Sequence, residues 1–352
     1  MDRCKILIAC CLVLGGFMGL VSCKKAASDH PATASSNADV YVVGSVTASN
    51  GVTVAAYWKN GTLVMVGDGT NISVANSIIV DGPDVYVGGA STIPGSQTIA
   101  TYWKNGVAVK LTDGTLQSSV TNMTLVGGNL YLAGNSSYGN GTQISEHWIN
   151  KAASLVIDSS KLTDEVGIGV IGQDVYIAGF NFIPWAANVK GAYLKNGQVN
   201  LLQKNTIVLG VNTSGSDVYF CGATSTDSLW DNSVATYWKN GVATQWGDPN
   251  GYTNATGIAV SGTDVYMAGY SSQPIAGGPL PKTVYWKNGV ATILNGNTDT
   301  NVFAGIAVLG TDVYVTGLIN GKPGYWLNGT PVLLNGNNGS AMRIAVVAKS
   351  AN

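Results

Sequence analysis

The sequence predicts an all-β fold, a seven-bladed β-propeller with four antiparallel strands per blade, and three observations predict it. An Asp-Val-Tyr segment and a Tyr-Trp-Lys-Asn-Gly segment alternate along the chain in seven copies, at steps of 43–48 residues. Asn-Gly, the strongest two-residue hairpin signal, ends six of the seven second segments. The first unit lacks one apolar strand, and the chain end supplies one. Self-similarity at this period marks a repeat architecture.

Within a unit the elements follow in a fixed order. Strand a is short and apolar: "SIIV" at 77–80, "GIGV" at 167–170, and "GIAV" at 257–260 and 305–308. A tight turn such as "SGTD" at 261–264 leads into strand b, which starts at Asp39, Asp84, Asn129, Asp174, Asp217, Asp264 and Asp312. Strand c ends in "YWK" or its variants: "AYWKNG" at 56–61, "TYWKNG" at 101–106 and 236–241, "EHWINK" at 146–151, "AYLKNG" at 192–197, "VYWKNG" at 284–289 and "GYWLNG" at 324–329. The nonapeptide "ATYWKNGVA" occurs twice, at 100–108 and 235–243, as the same strand three units apart. Asn-Gly then turns the chain into strand d, as in "VAVKL" at 107–111, because a type I′ turn needs positive φ at both central residues. Blades covered on both faces account for strands a and b reading as near-continuous apolar runs. Small residues such as Ala259 and Ala307 put strand a innermost, at the crowded axis.

Ring closure follows from the two ends. Unit one begins directly at strand b with Asp39, while "RIAV" at 343–346 matches the "GIAV" of other units. The C-terminal strand is therefore expected to complete the blade opened by the N-terminal three, which removes two exposed sheet edges. The layout resembles bacterial extracellular propeller repeats, including the HAF type, whose units also pair a Trp-x-Asn-Gly segment with a Gly-bounded strand. The likeness spans residues 39–349 and lacks the "DVYVAG" form in those repeats. It implies a secreted or surface propeller and no particular activity.

The N-terminus reads as a targeting segment. Arg3 and Lys5 precede the apolar run "ILIACCLVLGGFMGLV", too short and wrongly flanked for a membrane span. "LVSC", Leu20 to Cys23, resembles the lipobox of bacterial lipoproteins, in which the cysteine is acylated and becomes the first mature residue. The resemblance implies residues 1–22 as a lipoprotein signal peptide, Cys23 as the lipidated residue, 23–38 as a polar tether and 39–352 as the propeller domain. Several acyl chains make a stable anchor where one is marginal. The "SCKK" start resembles lipoproteins of Bacteroidetes-type bacteria, which implies an outer-membrane anchor facing the periplasm or the cell surface. Of five cysteines only Cys221 would stay free, so the mature chain relies on packing rather than disulfides.

Composition narrows the function classes. Charged residues make up 11% and the net charge is −1, which gives no basic patch for nucleic acid. His30 and His147 are the only histidines, too few for a zinc site with three or four ligands, and no cofactor is implied. Glutamate occurs only at Glu146 and Glu165, and arginine only at Arg3 and Arg343, which disfavours a sialidase-type arginine cluster. No G-x-S-x-G or phosphate-binding loop is present. The repeating Asp residues read as turn residues accepting backbone hydrogen bonds. The repeating tyrosines and Trp58, Trp103, Trp148, Trp238, Trp286 and Trp326 read as buried blade contacts, with Leu194 replacing Trp in the fourth unit.

Function is expected in the loops. Turns a–b and c–d are short and stereotyped, whereas b–c and d–a are longer and differ between units, and strand alternation puts all of the latter on one face. The candidate ligand-face residues are Tyr138, Trp185, Trp230, Asp227 and Asp231 in the b–c loops, with Asp248 and Tyr252 in the d–a loops. Aromatics beside Asp suit a glycan or a protein partner. The reading is a membrane-anchored, non-catalytic binding scaffold; the alternative is a glycan-acting hydrolase using loop Asp residues, which needs a convergent carboxylate pair.

Overall fold

A computed structural model describes residues 37–138, 143–157, 164–181, 190–225, 232–247, 251–271, 282–294, 304–335 and 339–349. The chain divides into residues 1–30 and 31–352, and every described residue belongs to the second unit. That unit is the seven-bladed β-propeller: seven separate four-stranded antiparallel sheets, with no helix among the described residues. Strand a of each blade touches strand a of the next, from the first blade round to the seventh and back, so these strands surround the axis. They are Ser340–Ala348 for blade 1, then Ser73–Asp81, Gln117–Val126, Asp164–Ile171, Thr206–Ser214, Thr253–Ser261 and Ile306–Leu309 for blades 2 to 7.

Closure occurs as the sequence predicts. Ser340–Ala348 pairs antiparallel with Ala38–Thr47, with Tyr41 opposite Ala345 and Val40 opposite Val346. The blade is therefore built from both ends of the described chain, and the edge of Ala38–Thr47 that would otherwise be open is paired.

Each blade alone is too thin to bury its apolar faces. The core accordingly forms as seven clusters, each at one blade–blade boundary. At the boundary of blades 1 and 7, Trp58 and Val42 pack with Tyr314, Tyr325 and Leu334. At that of blades 4 and 5, Tyr176 and Ala178 pack with Phe220 and Trp238. All six repeating tryptophans are buried, and Leu194 occupies the equivalent buried position in blade 4.

Every c–d turn has its Asn in the left-handed region, at φ 47–58°, and the six Asn-Gly turns continue with Gly at 79–87°, the type I′ geometry. In blade 3, Lys151 stands where the others have Gly, and the strand pair there carries a bulge at His147/Trp148.

The glycine that ends the Asp-Val-Tyr segment has a separate cause. In the first six blades strand a pairs with strand b across a one-residue bulge, for instance between Ala75 and Ser77. The bulge drives a strand-a carbonyl toward strand b: a Cβ at Gly89, Gly222 or Gly269 would collide with the carbonyl oxygen of Val74, Ile207 or Asn254.

Candidate functional site

The repeating polar residues form a clamp at the base of each blade, on the face that carries the a–b and c–d turns. The Asn of the c–d turn accepts the N–H of the residue after the strand-b Asp through Oδ1, at 2.8–3.0 Å in all seven blades. Its Nδ2 donates to that Asp, or to Asn129 in blade 3, at 2.7–2.9 Å. In five blades the strand-c Lys completes the clamp, with its ammonium 2.7–3.6 Å from the Asp and 5.1–5.5 Å from the centroid of the strand-b Tyr ring. Lys239 and then Asn240 hold the Asp217 carboxyl below its usual range. The expectation that these Asp residues accept backbone hydrogen bonds is thus corrected: they accept side-chain donors from the neighbouring turn. Blade 3 has Asn129 and Ile149 in place of Asp and Lys, while blade 7 keeps Asp312 with Leu327 in place of Lys, so the Asn–Asp bond persists without the ion pair.

The opposite face carries the b–c and d–a connections. Two of them depart from the expected long loops. Asn320 and Gly321 form a two-residue b–c turn in blade 7, with φ 51° and 76°. Asn205 alone, at φ 54°, joins Lys204 to strand a of blade 5. In both short turns an Asn takes the left-handed conformation that a tight connection needs.

Of the candidate ligand-face residues, two lie among those described. Tyr138 is 44% exposed on the b–c loop of blade 3. Tyr252 is half-buried, its ring 5.9 Å from that of Tyr270, and its backbone bridges Ser233, so it fastens its own loop. Trp185, Asp227, Trp230, Asp231 and Asp248 lie outside the described residues, as does Cys23.

Glu146, on strand c of blade 3, is influenced by Asp113 across the boundary with blade 2. Burial, and then the neighbouring Asp113 carboxylate, raise the Glu146 pKa, although Ser136 Oγ donates to Glu146 Oε2 at 2.7 Å. Asp113, on the d–a loop of blade 2, is held low by the Thr115 backbone N–H and hydroxyl.

Two buried groups are chemically quiet. His147 stacks on Tyr131 at 6.2 Å, and burial lowers its pKa to about 4. The Cys221 thiol is buried and pushed up to about 12 by desolvation. Among the described residues no group of three His, Cys, Asp or Glu is placed to hold a metal.

At the axis lies a chamber of about 240 Å³. The bulged residue of each strand a lines it (Asn76, Thr121, Val166, Leu209, Thr256 and Met342), with Ala304 in the corresponding place in blade 7. The bulges fall within the first residues of strand a, so the chamber sits toward the d–a loops. Among the described residues one charged side chain lines it, that of Arg343, which donates to the Val166 carbonyl at 3.2 Å. "RIAV" set against "GIAV" already held that signal: Arg343 stands where Gly167, Gly210, Gly257 and Gly305 stand in four other blades.

Fold and chamber define a seven-bladed propeller with one plain face, one loop-bearing face and a mainly apolar axial chamber that carries one guanidinium. The chain matches no protein-family model and no curated protein sequence. Among solved structures it is similar to the acylaminoacyl peptidase of Pyrococcus horikoshii, with a TM-score of 0.54 and 10% identity over 86% of this chain and 51% of that one. The chain thus spans about half the length of that peptidase chain. It is also similar to the SapL1 lectin in complex with alpha methyl fucoside (TM-score 0.41, 13% identity, 76% of this chain and 96% of that one). A third likeness is to the GH43_1 enzyme of Xanthomonas citri complexed with xylotriose (TM-score 0.33, 10% identity, 65% and 89%). At these identities the likeness is one of fold.

Proposed function

We propose that this chain is an extracytoplasmic binding protein, lipid-anchored in the outer membrane through Cys23, that holds a glycan or protein partner on its loop-bearing face without transforming it. The observation that carries the reading is the asymmetry of the two faces. One repeats the Asn clamp in all seven blades, completed by Lys in five. The other changes connection length and side chains from blade to blade, which is where a rigid scaffold carries recognition. Exposed Tyr138 lies on that face. The lipobox-like "LVSC" and the polar stretch after it supply the tether.

The test is a glycan array and a crosslinked pull-down with the full chain, compared with a variant carrying Tyr138→Ala, Trp185→Ala and Trp230→Ala. Retention of every bound partner by the triple variant contradicts the assignment to this face. Metabolic labelling with an alkyne fatty acid tests the anchor: Cys23→Ser is expected to abolish the label.

Glycan hydrolysis is the second reading, and the Glu146–Asp113 pair favours it. A carboxyl raised by burial beside one held ionised is the arrangement of a general acid and its partner. Polysaccharide turnover by the wild type, lost in both Glu146→Gln and Asp113→Asn, would establish hydrolysis and displace the binding reading.

A further inference from the structure

We infer that the axial chamber binds the carboxylate group of a small organic acid, with the Arg343 guanidinium as its charge partner. The starting point is what the repeat puts at this position. Four blades place glycine there, and Ser77 and Asn122 occupy it in blades 2 and 3. A guanidinium in the same place is set among packed blades, which lower its pKa by desolvation. Burying a cation is unfavourable unless it is paired. Among the described residues Arg343 enters no ion pair, and its hydrogen bond to Val166 O engages one of five N–H donors. That carbonyl is shared with Asn122 Nδ2, at 3.4 Å.

The other polar groups at the chamber wall are already committed. Asn76 Nδ2 donates to Val120 O at 2.8 Å, Thr121 Oγ1 to Ala133 O at 3.1 Å, and Thr256 Oγ1 to Ala304 O at 3.0 Å. These bonds tie strand a to its neighbours and hold the wall in place. Arg343 is therefore the donor left for a ligand.

Size, charge and lining set the class. The volume of about 240 Å³ admits a ligand of several heavy atoms. A planar guanidinium fork matches a carboxylate bidentately. One cation balances one negative charge, whereas a phosphate carries about two at neutral pH and needs more donors. Val166, Leu209, Ala304 and Met342 offer an apolar wall for the acid's carbon skeleton.

This inference goes beyond the proposed partner binding and does not depend on it. The experiment is isothermal titration of the full chain in detergent with sodium lactate and, separately, sodium phosphate at constant ionic strength. It is repeated with Arg343→Met and Arg343→Lys, and each protein is melted with and without lactate. Lactate is expected to bind the wild type one-to-one and to raise its melting temperature. R343M is expected to fold, melt at or above the lactate-free wild type, and lose lactate affinity by about tenfold or more. If R343M does not fold, R343K, which keeps the charge and loses the fork, carries the same expectation of weakened binding. Absence of lactate heat in the wild type overturns the proposal. Lactate affinity unchanged in the Arg343 variants overturns it too, as does phosphate binding tighter than lactate.

Discussion

Asn240 offers the sharpest test of why this repeat is spelled as it is. Its backbone sits at φ 51°, where an L-residue with a Cβ is disfavoured. Its side chain makes two bonds: Oδ1 accepts Val218 N–H at 3.0 Å, and Nδ2 donates to Asp217 at 2.7 Å. Asn240→Gly removes both bonds and leaves the backbone relaxed. Each bond contributes about 0.5–1.5 kcal/mol and water replaces part of it, so the loss is about 1–2 kcal/mol. Asn240→Ala removes the same bonds and adds the left-handed penalty of about 1–2 kcal/mol, which the greater unfolded-state freedom of glycine offsets in part. The alanine variant should therefore be less stable than the glycine variant by about 1 kcal/mol, or roughly 2 °C in melting temperature for a domain of this size. Thermal and urea melts of both variants measure the difference. If glycine proved as damaging as alanine, the positive φ would not be the reason for Asn in these turns, and the side-chain clamp alone would account for it.

The remaining predictions concern closure, core and titration. Removing residues 340–352 uncovers the edge of strand Ala38–Thr47, so size-exclusion chromatography should show aggregation in place of a monodisperse peak. Trp238→Ala empties a fully buried site between blades 4 and 5 and should cost about 3–5 kcal/mol in a urea melt. Cys221 should resist thiol reagents at pH 8 in the folded protein and react fully in denaturant, because burial lifts its thiol to about 12. His147 titrates at about 4 when folded against 6.5 in the reference state, so the unfolded chain binds the extra proton. Its contribution is complete above pH 6.5 and is lost as pH falls to about 4, by up to about 3 kcal/mol; His147→Tyr should remove that part of the acid sensitivity.

The ring was legible in the sequence because each blade repeats its turn chemistry. Asn-Gly fixes the c–d hairpin, and the missing first strand a together with "RIAV" fixes the closure. The clamp was half legible. Asp and Lys recur about twenty residues apart in sequence, and local turn chemistry has no means of linking them; only the register, with Tyr219 opposite Lys239, puts them side by side. The bulges were not legible, since a one-residue insertion in an apolar run leaves no mark in a period-two pattern. The loop-bearing face was legible as a face and not in its details. Length alone did not separate a recognition loop from the tight turn at Asn320 and Gly321.

Sevenfold repetition makes a propeller stable and also makes most of its residues uninformative about function. A residue that recurs in every blade answers to packing or to the clamp. A binding feature that belongs to one place on the ring stands where the symmetry fails. Two such places stand out among the described residues. Blade 3 departs at Asn129, Glu146, His147, Ile149 and Lys151 together, with exposed Tyr138 on its b–c loop and Asp113 of blade 2 acting electrostatically on Glu146. Arg343 breaks the glycine pattern at the axis and introduces the chamber's one charge. The Asn129 and Ile149 replacements compensate each other as a lost ion pair, and His147 stacks as a tyrosine would, so the scaffold absorbs those changes. Glu146 and Arg343 are held differently: each puts an ionisable group in partly buried surroundings where other blades have uncharged residues, Glu146 accepting from Ser136 Oγ and Arg343 donating to the Val166 carbonyl. Groups kept ionisable against a desolvation cost are where substitution tests binding most directly.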